Sequence, residues 1–486
     1  MSSRQKPPVI HNRPAVGRAE TGGSVSASYS DMASRPIRVA VVGGGPAGTF
    51  FAYCLCQEAS RRGRAVSVTV FEPKAFERRG AYHCNYCQGV ISDGLLAEMK
   101  KLGLWIPDKV IRTKIKSYSL VTLGGEVSLP VPEGQHIFTV FRGHGPVDES
   151  AGAISFDQFL LDKAVQSGAR KVNAYIEAIR IKPGTADPVT ITSRDGATFS
   201  ADMIVGAFGV NSNLGVQFEE LGNGYSRPPT DSALQAELRY ENAMEGESGQ
   251  QIRIFALGLP GVRFAVITPK RKHATVSLIG ERLDSMHLEQ FLSHQLVAGR
   301  VRAMAGGEGK MRCQCAPLMP VGDGGELAGK HWFVIGDAAV SRYYKNGIES
   351  ALRSAELAAR VLVEHGPECG EKLERHYSRR VKKMFGLDNR LGQLLFALHD
   401  RFYRLHTVAS GCLAIARGDY GITGHSRRKL RWIMWNMFTG DASYSKIFLN
   451  CLDPVLWFKI VVVSLRFRRL GNKAEEVENE RQEQQG

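Results

Sequence analysis

The residues best suited to chemistry by type and spacing begin with Gly43-x-Gly45-x-x-Gly48. Gly43 permits a tight turn, Gly45 lets a pyrophosphate approach the backbone, and Gly48 lets a helix pack closely on a strand. Free amides at the start of that helix would face the phosphates. Glu72 stands 24 residues after Gly48, about where a nucleotide-binding βαβ unit places the carboxylate that accepts the adenosine ribose hydroxyls. Glycines and acid together predict a bound dinucleotide. Cys84-x-x-Cys87 and Cys313-x-Cys315 are further candidates. Four thiolates can close a tetrahedral zinc site, but the second spacing is tight for zinc, and no metal is expected. A structural or redox pair joining Cys87 to Cys313 or Cys315 competes with ordinary buried cysteines.

These residues need elements to hold them. Ile37 to Val42 is Val-rich and apolar, which suits a strand buried on both faces of a parallel sheet, and a helix over Ala47 to Ala59 follows the glycines. Ala65 to Glu72 reads as the next strand, and Asp93 to about Leu102 as a helix. From Ile111 to about Val140 the pattern is strand-like, with turns at Gly124-Gly125 and from Pro130 to Gly134. Phe156 to Gly168 has helical apolar spacing and a glycine stop; short strands follow, ending in Ala201 to Gly209. The alternation from Ala233 to Gly280 predicts an antiparallel sheet. With the strands near 111–140 it would form a second layer facing the nucleotide domain. His331 to Ala339 reads as strand and turn, then a helix runs from Gly347 to about His365, and the rest to Leu470 is helix or loop.

The Gly43–Gly48 turn, Glu72 and Ile335-Gly-Asp-Ala-Ala339 resemble the FAD-binding signature of the flavoprotein group that includes para-hydroxybenzoate hydroxylase. The resemblance implies FAD as cofactor, with Gly336 and Asp337 at its ribityl chain and phosphates. It places Asn346 and Gly347 at a helix N-terminus pointing toward the flavin, where the dipole would stabilise the reduced anion. Pro46, Ala47, Ala338 and Arg142 join the implied cofactor-binding set. Within that group the chain resembles the geranylgeranyl reductase family. Cys87-Gln88-Gly89 resembles its Cys-Gly-Gly-like motif, and Phe156-Asp157-x-x-Leu160-x-x-x-Ala164 is similar to its helix beside the flavin. Cys315 to Gly322, leading into Gly336-Asp337, is also similar, so the resemblance covers roughly residues 36–365.

The resemblance implies an α/β fold: a Rossmann-type FAD-binding domain with a parallel sheet, an antiparallel-sheet substrate domain and a helical C-terminal region. The expected order is a disordered leader (1–35), FAD-binding parts at 36–110, 151–230 and 311–365, substrate-domain strands at 111–150, and the substrate sheet at 231–310. The helical region takes 366–470 and a disordered acidic tail 471–486. The implied activity is reduction of C=C bonds in a long apolar isoprenoid or lipid substrate by hydride from reduced flavin, with NAD(P)H or a reduced carrier protein as electron donor. Tyr343, Tyr344 and Lys345 follow the Gly-Asp turn closely enough to line the flavin face; any could donate a proton, or simply pack. His83 could shuttle a proton or be a structural histidine, and Cys87 is a further catalytic candidate. Related monooxygenases have Asp-Gly where this chain has Phe208-Gly209, and Pro and Gly-Gly-Gly where it has Arg342 to Gly347. The tryptophan motif of flavin halogenases is absent. These departures favour a reductase over the alternative, an FAD-dependent monooxygenase using NAD(P)H and O2. A non-catalytic flavin-binding electron-transfer or interaction subunit is the alternative of another class.

The composition, 43% apolar and 23% charged over 486 residues, is that of a globular protein. No run of about 18 apolar residues predicts a spanning helix. Nine cysteines, an odd count without a secretory apolar core near the start, fit a reducing, cytoplasmic compartment. The net charge of +15 gathers partly between Arg427 and Arg469, interleaved with tryptophan and aliphatic residues. That fits peripheral contact with a membrane better than a nucleic-acid groove, and no nucleic-acid motif accompanies it. Asp453-Pro454 predicts a helix start. About 16 residues reach about 24 Å, short of a bilayer core of about 30 Å. Lying on a membrane, covering a lipid tunnel, packing in the core with a charged rim, and a solvated basic face are the competing readings.

Overall fold

A computed structural model describes residues 35–74, 88–143, 154–222, 224–403, 405–419 and 424–467. Ile37–Val42 lies inside a six-stranded sheet, between Met203–Gly206 and Val66–Phe71 and parallel to both. Arg170–Val172 extends the sheet on one side, and Trp332–Val334 with the antiparallel edge Ala328–Gly329 on the other. The central residues Val39 to Val42 and Met203 to Gly206 are buried throughout, as a parallel strand covered on both faces requires. Helices Pro46–Arg61, Phe156–Gln166 and Gly347–His365 contribute to the same core. The expected helix over 156–168 ends at Gln166, with Gly168 at φ +110° supplying its stop.

The second layer is an eight-stranded sheet. It is antiparallel except where Gln251–Ala256 pairs in parallel with Ser117–Thr122. Its period of two sends neighbouring side chains to opposite clusters: Phe264 and Val266 face one way, Ala265 and Ile267 the other. Helices Ser285–Ser293 and Gln295–Ala303 contribute to the second of these clusters. The C-terminal helices Arg379–Tyr403, His406–Arg417, His425–Thr439 and Tyr444–Cys451 cover the first.

Two placements differ from expectation. The strands between 111 and 140 divide: Ser117–Thr122 and Gly125–Pro130 join the eight-stranded sheet, whereas Ile111–Lys114 and Phe138–Phe141 form a small sheet with Gln88–Ile91. The strand Lys310–Cys315, expected in the nucleotide-binding part, pairs with Thr230–Arg239 in the antiparallel sheet. Local alternation sets a strand's faces but not its partner, which depends on residues far away in sequence.

Candidate active site

The glycine turn is built as its spacing predicts. Gly43 has φ +111°, and a β-carbon there would lie 2.4 Å from the Ala207 carbonyl oxygen. A β-carbon on Gly48 would fall 1.9 Å from the Gly43 carbonyl oxygen, so strand and helix close only around glycine. At Gly45 nothing lies within 4 Å of that position. Pro46 opens the helix and no side chain caps its first amides. Open space over uncapped amides at a helix N-terminus is what a pyrophosphate needs.

Glu72 has a structural task that its position in sequence does not show. It is buried, and its Oε2 accepts from the Gly44 amide at 2.8 Å while Oε1 accepts from the Lys74 amide at 2.8 Å. Each carboxylate oxygen retains acceptor capacity for a ribose hydroxyl. The acid thus braces the turn and keeps acceptor capacity that a nucleotide could use.

The late Gly-Asp turn docks against this first unit. Gly336 has φ +63°, and a β-carbon on it would sit 2.5 Å from Ala47 Cβ. Ala338 is buried behind it. Asp337 Oδ1 lies 3.7 Å from the place of a β-carbon on Gly347, which puts the acid at the start of helix Gly347–His365. Burial raises the Asp337 carboxyl above the usual carboxylate range, partly offset by Arg142 and Ser341. Arg142 is held by Asp157, whose Oδ1 accepts from Nε at 2.7 Å and Oδ2 from Nη2 at 3.2 Å. Asp157 is buried in the first turn of helix Phe156–Gln166. Gly89 packs against Val140, and a β-carbon on it would come within 3.3 Å of the Arg142 stem.

Between these parts runs Ser341 to Asn346, with Tyr344 at φ +55° and Asn346 at +51°. Such conformations are costly for residues with side chains and persist only where surroundings impose them. Asn389 braces the start of this segment: its Oδ1 accepts from the Tyr343 amide and its Nδ2 donates to the Ser341 carbonyl, both at 3.0 Å. Asn346 donates to Glu349 and to the Gly440 carbonyl, leaving the first amides of helix Gly347–His365 without a side-chain cap.

The three candidate proton donors part company. Arg263 donates to the hydroxyls of both Tyr343 and Tyr344, and Tyr344 donates to Asp231. Asp400 accepts from the Arg263 Nε at 2.8 Å. Both rings are buried among Phe264 and Phe396. Burial and the Asp231 bond push the Tyr344 hydroxyl far above its ordinary range. Tyr343 and Tyr344 therefore tie the segment to the eight-stranded sheet. Lys345 differs: its Nζ stands 5.5 Å from the Phe264 ring centroid, and among the described residues no carboxylate pairs with it. Burial, then Arg342, pushes its ammonium down to about 8. His83, Cys84 and Cys87 lie outside the described residues.

Asp157 and the Arg263–Asp231–Asp400 node are the site residues that the candidate set lacks. Asp157 stood in a motif without a role of its own. Arg263 gave no signal, because its four partners are scattered from 231 to 400. Phe208, in place of the expected acid, turns into an aromatic cluster with Phe218 and Tyr225 and packs over Gly206. Packing explains its type.

The description FAD-NAD(P)-binding belongs to the family model that matches residues 40–93, which span the glycine turn and Glu72. Over 417 residues the chain is 26% identical to the chloroplastic geranylgeranyl diphosphate reductase of Arabidopsis thaliana, covering 80% of this chain and 79% of that protein. Among solved structures, a geranylgeranyl bacteriochlorophyll reductase-like protein of Thermoplasma acidophilum superposes with TM-score 0.59 at 16% identity, over 88% of this chain and 100% of that one. The flavin-dependent halogenase CmlS gives 0.59 at 18%, over 83% and 77%. A flavoprotein/dehydrogenase of Cytophaga hutchinsonii gives 0.60 at 14%, over 89% and 99%. These structures share the fold with reductase-like and halogenating proteins alike. The fold is that of flavin-dependent proteins, and the glycine turn with Glu72 falls within an FAD-NAD(P)-binding match. In sequence the chain is similar to a geranylgeranyl diphosphate reductase, and in fold to a geranylgeranyl bacteriochlorophyll reductase-like protein.

Proposed function

We propose that this flavoprotein reduces C=C bonds of a long apolar isoprenoid substrate. The observation that carries the reading is the likeness to geranylgeranyl diphosphate reductase, which runs through both the nucleotide-binding and the substrate-side parts of the chain. When bound and reduced by NAD(P)H or a carrier protein, FAD would supply hydride chemistry for one alkene carbon. The chain does the rest. Gly43 to Gly48, Glu72 and Gly336-Asp337 would hold the cofactor, with Arg142 fixed beside Asp337 by Asp157. Tyr343, Tyr344, Phe264 and Phe396 form an apolar wall that excludes water. Lys345 would give its Nζ proton to the second alkene carbon, balancing the hydride and leaving a neutral amine to be reprotonated from solvent.

Lipid extraction of purified protein with mass spectrometry, alongside its flavin spectrum, tests the reading. A co-purified polyprenyl compound on flavin-bearing protein supports it. Rapid NAD(P)H oxidation coupled to oxygen uptake and a hydroxylated product would move the assignment to the monooxygenases that share the fold.

A further inference from the structure

The C-terminal helices bury one side against the eight-stranded sheet and leave apolar residues outside. On Arg379–Tyr403, Leu387, Leu394 and Leu398 are exposed at helical spacing. On the bent pair Tyr444–Cys451 and Pro454–Phe467, so are Leu449, Val455 and Phe458. Phe458 and Leu449 are 69% and 67% exposed, too much for core residues. The two groups belong to one packed unit: Tyr444 lies over Gly392, and the Phe402 and Trp457 rings meet at 5.3 Å.

The exposed charges on these helices have one sign. The exposed charged residues on these helices include Lys383, Arg390, Arg401, Lys446 and Arg466, and no acid is exposed on them. Three nearby acids are paired with cations, and Asp441, exposed ahead of Tyr444–Cys451, accepts from Trp435 Nε1. Asp388 meets Arg342 at 3.3 Å, Asp400 meets Arg263 at 2.8 Å, and Asp453 meets Lys429 at 2.6 Å. Apolar side chains interspersed with cations, beside neutralised acids, complement an anionic lipid headgroup layer. No single described helix is long and apolar enough to cross a membrane.

We propose that this face, formed by Arg379–Tyr403, Tyr444–Cys451 and Pro454–Phe467, docks on the surface of an anionic phospholipid bilayer. Phe458, Val455 and Leu449 enter the headgroup boundary, and Arg390, Lys446 and Arg466 meet the phosphates. The proposal needs no substrate and stands apart from the reductase reading.

The test is co-sedimentation of the full-length, FAD-loaded protein with vesicles of phosphatidylcholine alone or mixed with phosphatidylglycerol. Strong binding to the mixed vesicles, weakened by salt, is expected. Arg390→Gln and Arg466→Gln should each lower affinity about fivefold. Leu387→Asp combined with Phe458→Asp should lower it at least about tenfold without changing the flavin spectrum or melting temperature, since both positions are exposed. Failure of the parent to bind mixed vesicles, or unchanged binding by these variants, overturns the proposal. So does a dimer in solution that the Asp variant dissociates, which would assign the face to a second copy of the chain.

Discussion

A lysine ammonium that is buried close to an arginine holds its proton less firmly than one in water. Lys345, pushed down to about 8, is charged below that pH and neutral above it. As the proton donor it makes turnover fall as pH rises through about 8. Lys345→Met should slow turnover about 100-fold or more with the flavin spectrum intact. A variant as fast as the parent removes Lys345 from the reaction. The same depression has a sign for stability. The unfolded chain keeps this proton up to about 10, while the folded chain releases it near 8, so stability rises with pH between them. Urea melts of Lys345→Met should lose that rise. At Glu72, replacement by Gln halves the acceptors for two backbone amides and the ribose. FAD affinity should drop about tenfold, measured by flavin fluorescence.

Elements are joined here by a few side chains that reach far in sequence. Arg263 links strand Val262–Lys270 to Tyr343, Tyr344 and helix Arg379–Tyr403 through Asp400. Arg263→Met leaves Asp231 and Asp400 facing each other's charge without a cation between. The expected loss is about 2 kcal/mol, less than for a fully buried pair because these groups keep some solvent, and it is read from chemical denaturation. The cap at Asp453 works locally: its Oδ1 accepts from the Val455 and Leu456 amides, as Asp453-Pro454 predicts. Asp453→Ala should lower the melting temperature, because the Val455 and Leu456 amides lose their acceptor. Such local rules made the helices legible: the one over Gly347–His365 begins and ends where its spacing says. The strands' partners were not legible, because Ile111–Lys114 and Lys310–Cys315 carry the same alternation whichever sheet receives them.

Across the whole molecule, the tight turns and close approaches were readable wherever backbone geometry demands glycine. Gly43, Gly48 and Gly336 leave no room for a side chain, so their spacing records the contact between distant segments. What joins the two layers was hidden, since Arg142 with Asp157, and Arg263 with its tyrosines and acids, are ordinary polar residues until the chain is folded. FAD held by these parts would bridge them, so loading should stabilise the fold by about 2.7 kcal/mol at a hundredfold excess over Kd. In the proposed function, flavin electrons leave to an apolar alkene. The most direct measurement is anaerobic: protein reduced with dithionite is mixed with geranylgeranyl diphosphate, and flavin absorbance and product mass are followed together. Return of the oxidised flavin spectrum with a product gaining two hydrogens per reduced bond is predicted. Flavin that stays reduced with polyprenyl substrates, yet reoxidises with oxygen to give a hydroxylated product, would contradict it.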